Sequence, residues 1–283
     1  MKKIGFIDYF IDEWHANNYP KFISESLYKD EFKVHMAWEE FCPTDKKNLK
    51  DWCREFNVIP ASSIQDVVDK CDCIIVLAPS NPEVHERFSE IPLKSGKPVY
   101  IDKPFASDLK TAERIFGNAE EGKTPMMSSS ALRFGSEIQN FLKDTLKRDK
   151  VKFAAIRGGG SSFEEYAIHQ IEMLVMLMGG GAKNVMQCGT STNNLLVVEY
   201  EDGRRASVSR YSPQPFGITV EYGDKIFTAN TMGDFFPRFI NSMLEFFKTA
   251  KPSNKKEETL EIVRILEVSI KALKTPDKWI KIG

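Results

Sequence analysis

Short apolar runs alternate with stretches of helical period along the first 125 or so residues. The runs at 3–7, 32–38, 58–60, 74–78, 99–101 and 125–130 read as strands. Between them the spacing predicts helices at 17–28, 48–56, 63–69, 82–94 and 107–120. Tyr19, Phe22, Ile23 and Leu27 mark the apolar stripe of the first, and serines at 62, 63 and 107 are placed to cap two others. Residues 73–105 organise the rest. A strand ends at Pro79, Asn81-Pro82 opens a helix, and Gly96-Lys97-Pro98 precedes a second strand. That connection is too long for a hairpin, so the two strands are parallel with a right-handed crossover. The expected fold is α/β, a doubly wound parallel sheet.

Beyond about residue 130 the pattern changes. Helices are expected at 134–147 and 164–178, and strands at 151–157, 184–188, 195–200, 205–211, 216–221 and 225–229. Asp202-Gly203 and Gly223-Asp224 are hairpin signals. The second domain is therefore expected to be α+β with an open, mainly antiparallel sheet. Helices at 235–248 and 256–273 close it and could pack back on the first domain. The expected domains are 1–125 and 126–283. A boundary between two such domains is a preferred place for a small-molecule site.

Composition narrows the partners. With 39 Lys plus Arg against 40 Asp plus Glu, no charge excess calls for nucleic acid or a membrane surface. Asp8, Asp12 and Glu13 interrupt the N-terminal apolar run before an export signal forms, and the apolar stretch at 171–178 contains Glu172 and is too short to span. Cysteines at 42, 53, 71, 73 and 188 show no CxxC spacing and read as buried or half-buried thiols, with the cytoplasm as default location.

In parallel sheets, ligands sit beyond the carboxyl ends of the strands. Two loops point there, Ala78-Pro79-Ser80-Asn81-Pro82 and Asp102-Lys103-Pro104. Pro104 restricts Lys103, giving that amine a set direction for holding a substrate oxygen. His169 lies on a predicted helix one turn after Glu165, which could fix its tautomer or raise its basicity. Glu-x-x-x-His supplies too few ligands for a metal, and none is expected. Gly158-Gly159-Gly160 lacks the Lys-Ser/Thr of a nucleotide loop and reads as flexible backbone before the helix. The first turn lacks G-x-G-x-x-G: after Gly5 it reads Ile7-Asp8-Tyr9-Phe10-Ile11-Asp12-Glu13-Trp14-His15-Ala16. Carboxylates there repel a diphosphate, and side chains at the glycine positions hold it off the backbone. Glu39 or Glu40 stands where a ribose diol would be met, and favours NAD over NADP by repelling a 2′-phosphate.

Taken in order, these landmarks resemble the glucose–fructose oxidoreductase, inositol dehydrogenase and rhizopine-catabolism (Gfo/Idh/MocA) family. Val76-Leu-Ala-Pro-Ser-Asn-Pro-Glu-Val-His85 is similar to the family's strand ending in Thr/Ser/Asn-Pro followed by histidine. Gly96-Lys97-Pro98-Val99-Tyr-Ile-Asp-Lys-Pro104 resembles its Gly-Lys-x-Val-x-x-Glu-Lys-Pro motif, with Asp102 for the usual glutamate. Arg133 falls where the family often has arginine, and Glu165 with His169 matches its Asp-x-x-x-His pair. The resemblance implies a Rossmann-like N-terminal domain and an NAD(P)-dependent dehydrogenase acting on a secondary alcohol of a sugar or polyol. It implies His169 as general base, Lys103 holding and polarising the reacting oxygen, and Glu165 positioning substrate or imidazole. Substrate would be bound by Lys103, Arg133, Glu165 and His169, and NAD or NADP by Asp8, Tyr9, Phe10, Glu39, Pro79, Ser80, Asn81, His85 and Lys103. A homodimer or tetramer is implied as well. The departure is the missing glycine-rich turn, which leaves a rival reading: a non-catalytic Rossmann-like ligand-binding or regulatory protein that has lost dinucleotide binding.

Overall fold

Strand β1 (Lys2–Asp8) lies at the middle of a six-stranded parallel sheet in the computed structural model, which describes residues 1–144, 150–190, 192–211 and 213–283. It is flanked by β2 (Phe32–Glu39) and β3 (Ile59–Pro60) on one side. On the other lie β4 (Cys73–Val76), β5 (Val99–Ile101) and β6 (Met126–Met127). The order β3-β2-β1-β4-β5-β6 is the doubly wound arrangement, and its reversal beside β1 is where such sheets bind ligands. Helices α1 (Trp14–Ser24), α2 (Leu49–Phe56), α3 (Ile64–Lys70), α4 (His85–Leu93) and α5 (Leu109–Glu121) connect the strands. Asn48, Ser63 and Asp108 cap α2, α3 and α5 with side-chain oxygens. Helix α1 begins three residues before its apolar stripe predicted, because the Glu13 side chain caps it. The apolar run 125–130 contributes only two residues of strand.

The chain divides into two compact units. The first comprises Met1–Ser129 with Phe239–Lys255, and the second Ser130–Arg238 with Lys256–Gly283. Most of α8 (Phe235–Thr249) thus belongs to the first unit, where Phe239 packs on Tyr19 and Tyr100.

The second unit is built on α6 (Ser136–Asp144), β7 (Val151–Gly158), α7 (Phe163–Met178), β8 (Ala182–Gly189), β9 (Asn194–Tyr200), β10 (Arg205–Arg210), β11 (Gly217–Tyr222), β12 (Lys225–Ala229), α9 (Lys256–Ala272) and β13 (Ile280–Lys281). The last part of the helix predicted at 134–147, residues 145–147, lies outside the described residues. The strands form one seven-stranded sheet in the order β12-β11-β7-β10-β9-β8-β13. Both hairpin signals hold: β9 turns into β10, and β11 into β12. The sheet is mainly antiparallel, except that β7 enters between β11 and β10 and runs parallel to β10. Alternation sorts the faces. Ala154, Ile156, Leu196 and Val198 are buried, while Phe153 and Leu195 are exposed on the other face. Helix α7 is apolar nearly all round and lies in the centre of the core that the inward residues build.

Candidate active site

In the first unit the site begins where β1 ends. Asp8 is buried and uses one carboxylate oxygen, Oδ1, to accept the backbone N–H groups of Tyr9 (2.7 Å) and Ala78 (3.0 Å), joining the ends of β1 and β4. Its Oδ2 has no hydrogen-bond partner among the described residues. Burial and the nearby Glu13 charge push the Asp8 carboxyl well above its ordinary value, against the pull of the two N–H groups. Glu13, also buried, turns its carboxylate onto the N–H groups of His15 and Ala16, the first free donors of α1. Burial raises its pKa too, in spite of the His15 charge and those N–H groups.

Asp102, at the end of β5, completes the cluster. Its Oδ1 accepts from the Lys103 N–H (2.8 Å) and lies 3.3 Å from the Tyr100 hydroxyl, while Oδ2 meets His15 Nδ1. Burial works against its ionisation, but the His15 charge and hydrogen bond and the Lys103 charge outweigh it and hold the carboxyl at about 2. Lys103 is half-buried, follows directly, and donates from Nζ to the Pro79 carbonyl at 3.3 Å, so the two loops after β4 and β5 are tied together. His85 lies beneath them, fully buried, with Nε2 2.6 Å from the Leu77 carbonyl and Nδ1 3.1 Å from that of Phe105. It holds the backbone of both loops.

The remaining residues named for a cofactor are placed as follows. Tyr9 packs against Phe10 and Phe41, with ring centroids 6.2 and 6.0 Å away. Both oxygens of Glu39 are in use: Oε2 accepts from the Ile11 N–H (2.9 Å) and Oε1 from the Leu49 N–H (2.8 Å). Glu40 pairs with Arg87. Ser80 and Asn81 follow Ala78 and Pro79 in the loop before α4, where Asn81 donates to Glu83 at 2.9 Å.

A Rossmann unit holds a diphosphate on free N–H groups at the N-terminus of its first helix. Here Glu13 occupies two of those groups, the Asp102 charge adds to the burial that raises the Glu13 carboxyl, and both charges add to the burial that raises Asp8. As arranged, this turn does not fit a diphosphate in that position. The loop after β4 and the Lys103 amine present no such charge conflict.

In the second unit, His169 on α7 has Nδ1 2.7 Å from Ser130 Oγ, and Tyr166 and Phe216 lie against its ring. Ser130 Oγ also accepts from the Leu132 N–H at 3.2 Å. Glu165 is exposed on the first turn of α7, where its carboxylate accepts from Ser161 Oγ at 2.7 Å. Arg133 is buried in ion pairs with Glu172 and with Glu258 (2.9 Å). The triple glycine before α7 is a matter of packing rather than flexibility. A Cβ on Gly158 would meet the Phe216 ring at 2.3 Å, one on Gly159 the Gln214 carbonyl oxygen at 2.8 Å, and one on Gly160 the Tyr166 ring at 2.2 Å.

The pairing of His15 with Asp102 and the Glu13 cap are features that pattern reading does not single out. His15 and Asp102 are 87 residues apart. The available signal was Asp-x-x-x-x-Glu-x-His in a turn where glycines are expected.

No group of three or more His, Cys, Asp or Glu able to hold a metal ion occurs among the described residues. None of the described helices is long and apolar enough to cross a membrane. Burial pushes the Cys53 and Cys73 thiols up to about 12 and Cys71 up to about 11, which makes them poor nucleophiles.

The fold and these strand-end loops are those of a two-unit protein with a Rossmann-type first unit. Residues 23–129 match the model of an oxidoreductase family with an NAD-binding Rossmann fold, Gfo/Idh/MocA. A relative called an uncharacterized oxidoreductase, from Streptococcus pneumoniae serotype 4, is 23% identical over 166 residues. The match takes in 51% of this chain and 45% of that protein, so the chain spans under half the length of that curated relative. Among solved structures, scyllo-inositol dehydrogenase from Lactobacillus casei with NAD(H) and scyllo-inositol superposes with a TM-score of 0.81 at 13% identity, over 99% of each chain. Myo-inositol 2-dehydrogenase from Lactobacillus plantarum gives 0.81 at 11% identity, over 100% of this chain and 99% of that one. At these identities the likeness is one of fold.

Proposed function

We propose that the protein is an NAD(P)-dependent oxidoreductase acting on a secondary alcohol of a small sugar or polyol. The observation that carries the reading is the family match across β2 to β6 together with Lys103, whose amine is tied to Pro79 at the carboxyl end of β5. Lys103 is the residue proposed to hold the reacting oxygen and steady the charge that develops on it. His169 is proposed to take the hydroxyl proton. Arg133 and Glu165 are proposed to position substrate or the groups around it. The cofactor's contribution, when bound, is to accept or return hydride. Its holders are proposed at Pro79, Ser80, Asn81 and Lys103, with NAD favoured over NADP by the acidic end of β2. The proposed assembly is a homodimer or tetramer in the cytoplasm, and Phe153 and Leu195 on the exposed face of the second sheet support an association there.

The test is turnover of inositols and related polyols with each nicotinamide cofactor. Lys103→Ala and His169→Ala are each expected to lower turnover by about 10²-fold or more, the usual worth of a positioned acid–base or charge-stabilising group. Near-normal turnover in both would show that other residues carry the reaction. One observation favours a second reading, a Rossmann-like ligand-binding or regulatory protein without cofactor: Glu13 sits on the N–H groups a diphosphate would need.

A further inference from the structure

The turn after β1 has lost the features of a phosphate cradle, yet its side chains are not loosely arranged. Three constraints fix the His15 imidazole. Its backbone N–H is held by Glu13 at 2.7 Å. Its ring stacks on Tyr19 with centroids 5.1 Å apart and planes 14° from parallel, and the Trp14 ring meets it edge-on at 5.5 Å. Its Nδ1 faces Asp102 Oδ2, with the Tyr19 hydroxyl 3.3 Å away. Asp102 cannot swing aside, since its other oxygen is committed to the Lys103 N–H and faces the Tyr100 hydroxyl. What remains is Nε2, which makes no hydrogen bond among the described residues, on a side chain that is 12% exposed.

A carboxylate can only accept a hydrogen bond, so it selects the tautomer with the proton on Nδ1 and leaves the Nε2 lone pair outward. It also steadies the imidazolium that forms when Nε2 takes a proton. We propose that His15, positioned by Asp102, is an acid–base residue for a neutral, hydroxyl-bearing ligand held at the carboxyl ends of β1 and β5. The O–H bond of the ligand breaks and an Nε2–H bond forms, while the electron pair stays on oxygen as an alkoxide close to the Lys103 ammonium. The transfer itself needs no oxidant. Onward conversion of the alkoxide to a carbonyl rests on the oxidoreductase reading above, with nicotinamide as hydride acceptor; here His15 takes the proton that reading gives to His169, and the variant whose turnover falls by about 10²-fold identifies the base. Uncharged polyols suit the turn, because Asp8 and Glu13 disfavour an anionic ligand. The titratable and charged groups facing the pair are Asp8 from β1, Glu13 and Tyr19 from α1, and Tyr100 and Lys103 from β5 and its loop.

Nitrogen NMR of the ¹⁵N-histidine-labelled full chain tests the tautomer without any need for turnover. The neutral ring of His15 is expected to carry its proton on Nδ1, to lose that preference in Asp102→Asn, and to shift at Nε2 on addition of myo-inositol. In His15→Asn the amide can still donate to Asp102, so the fold is retained, but the proton acceptor is gone. Turnover in this variant is expected to fall by about 10²-fold with little change in KM, and the dependence of turnover on pH is expected to lose one limb. His15→Ala should recover part of its turnover in added imidazole. A neutral ring protonated on Nε2, or His15→Asn turnover within about twofold of the parent, would overturn the proposal. If no polyol is oxidised at all, the oxidoreductase reading falls, and the tautomer with the myo-inositol shift decides this proposal alone.

Discussion

Each unit buries acidic side chains, and each neutralises them differently. In the second, Glu172 and Glu258 face Arg133, whose guanidinium stays charged at any accessible pH. In the first, Asp8, Glu13 and Asp102 converge around the His15 imidazole. A permanent cation makes a structural ion pair. An imidazole makes a cluster that can take up and release protons, so chemistry is better sought there. The histidines differ in the same sense. The Asp102 carboxylate dictates the tautomer of His15, whereas the Ser130 hydroxyl beside His169 can donate or accept and dictates neither.

The largest expected effect comes from removing the permanent cation. Arg133→Met leaves the Glu172 carboxylate buried without its partner and is expected to cost about 3–5 kcal/mol in urea unfolding. A cost below about 1 kcal/mol would mean that the acids there take up protons as readily as those of the first unit, and the contrast would vanish.

Next is the dependence of stability on pH. The folded-state value of Asp102 is held below its ordinary one, at about 2, so its contribution is fully present above the ordinary carboxylate range and is lost as pH falls towards 2. That contribution is about 2 kcal/mol, and Asp102→Asn should abolish it. Asp8 and Glu13 are raised, so the sign reverses: stability is lost as pH rises through their folded-state values. Melting temperatures across the pH range should therefore show Glu13→Gln gaining on the parent as the solution becomes more alkaline. Parallel curves would contradict the acidic cluster.

Smaller effects sharpen the comparison. Glu13→Ala removes the α1 cap as well as the charge, so relative to Glu13→Gln it is expected to lose about 1 kcal/mol. Equal stability of the two variants would show that the carboxylate is not a cap in solution. Ser130→Ala should cost only about 0.5–1.5 kcal/mol and reduce turnover severalfold rather than by orders of magnitude. A collapse as deep as that of His169→Ala would mean that the hydroxyl does set the His169 tautomer.

Much of this fold could be read from local pattern. Strand order in the first unit follows from β–α alternation and the crossover rule, and the hairpins follow from Asp202-Gly203 and Gly223-Asp224. The insertion of β7 between β10 and β11 could not, because pairing over that distance in sequence is decided by packing on α7 rather than by a turn. Lys103 was legible because a proline follows it at a strand end. His15 was not, because its partner is supplied by the end of β5, and no periodicity links a first-turn histidine to an aspartate four strands further along the chain. The glycines at 158–160 read as flexible backbone for lack of information about Phe216 and Tyr166, which press against two of them.

Cofactor use divides the two readings most directly. Calorimetric titration of the full chain with NAD(H) and with NADP(H), taken to about 1 mM, where nicotinamide enzymes are normally near saturation, is expected to give saturable heat, stronger for NAD(H). Absence of heat for all four would contradict the oxidoreductase account and leave a Rossmann-like protein that binds something else.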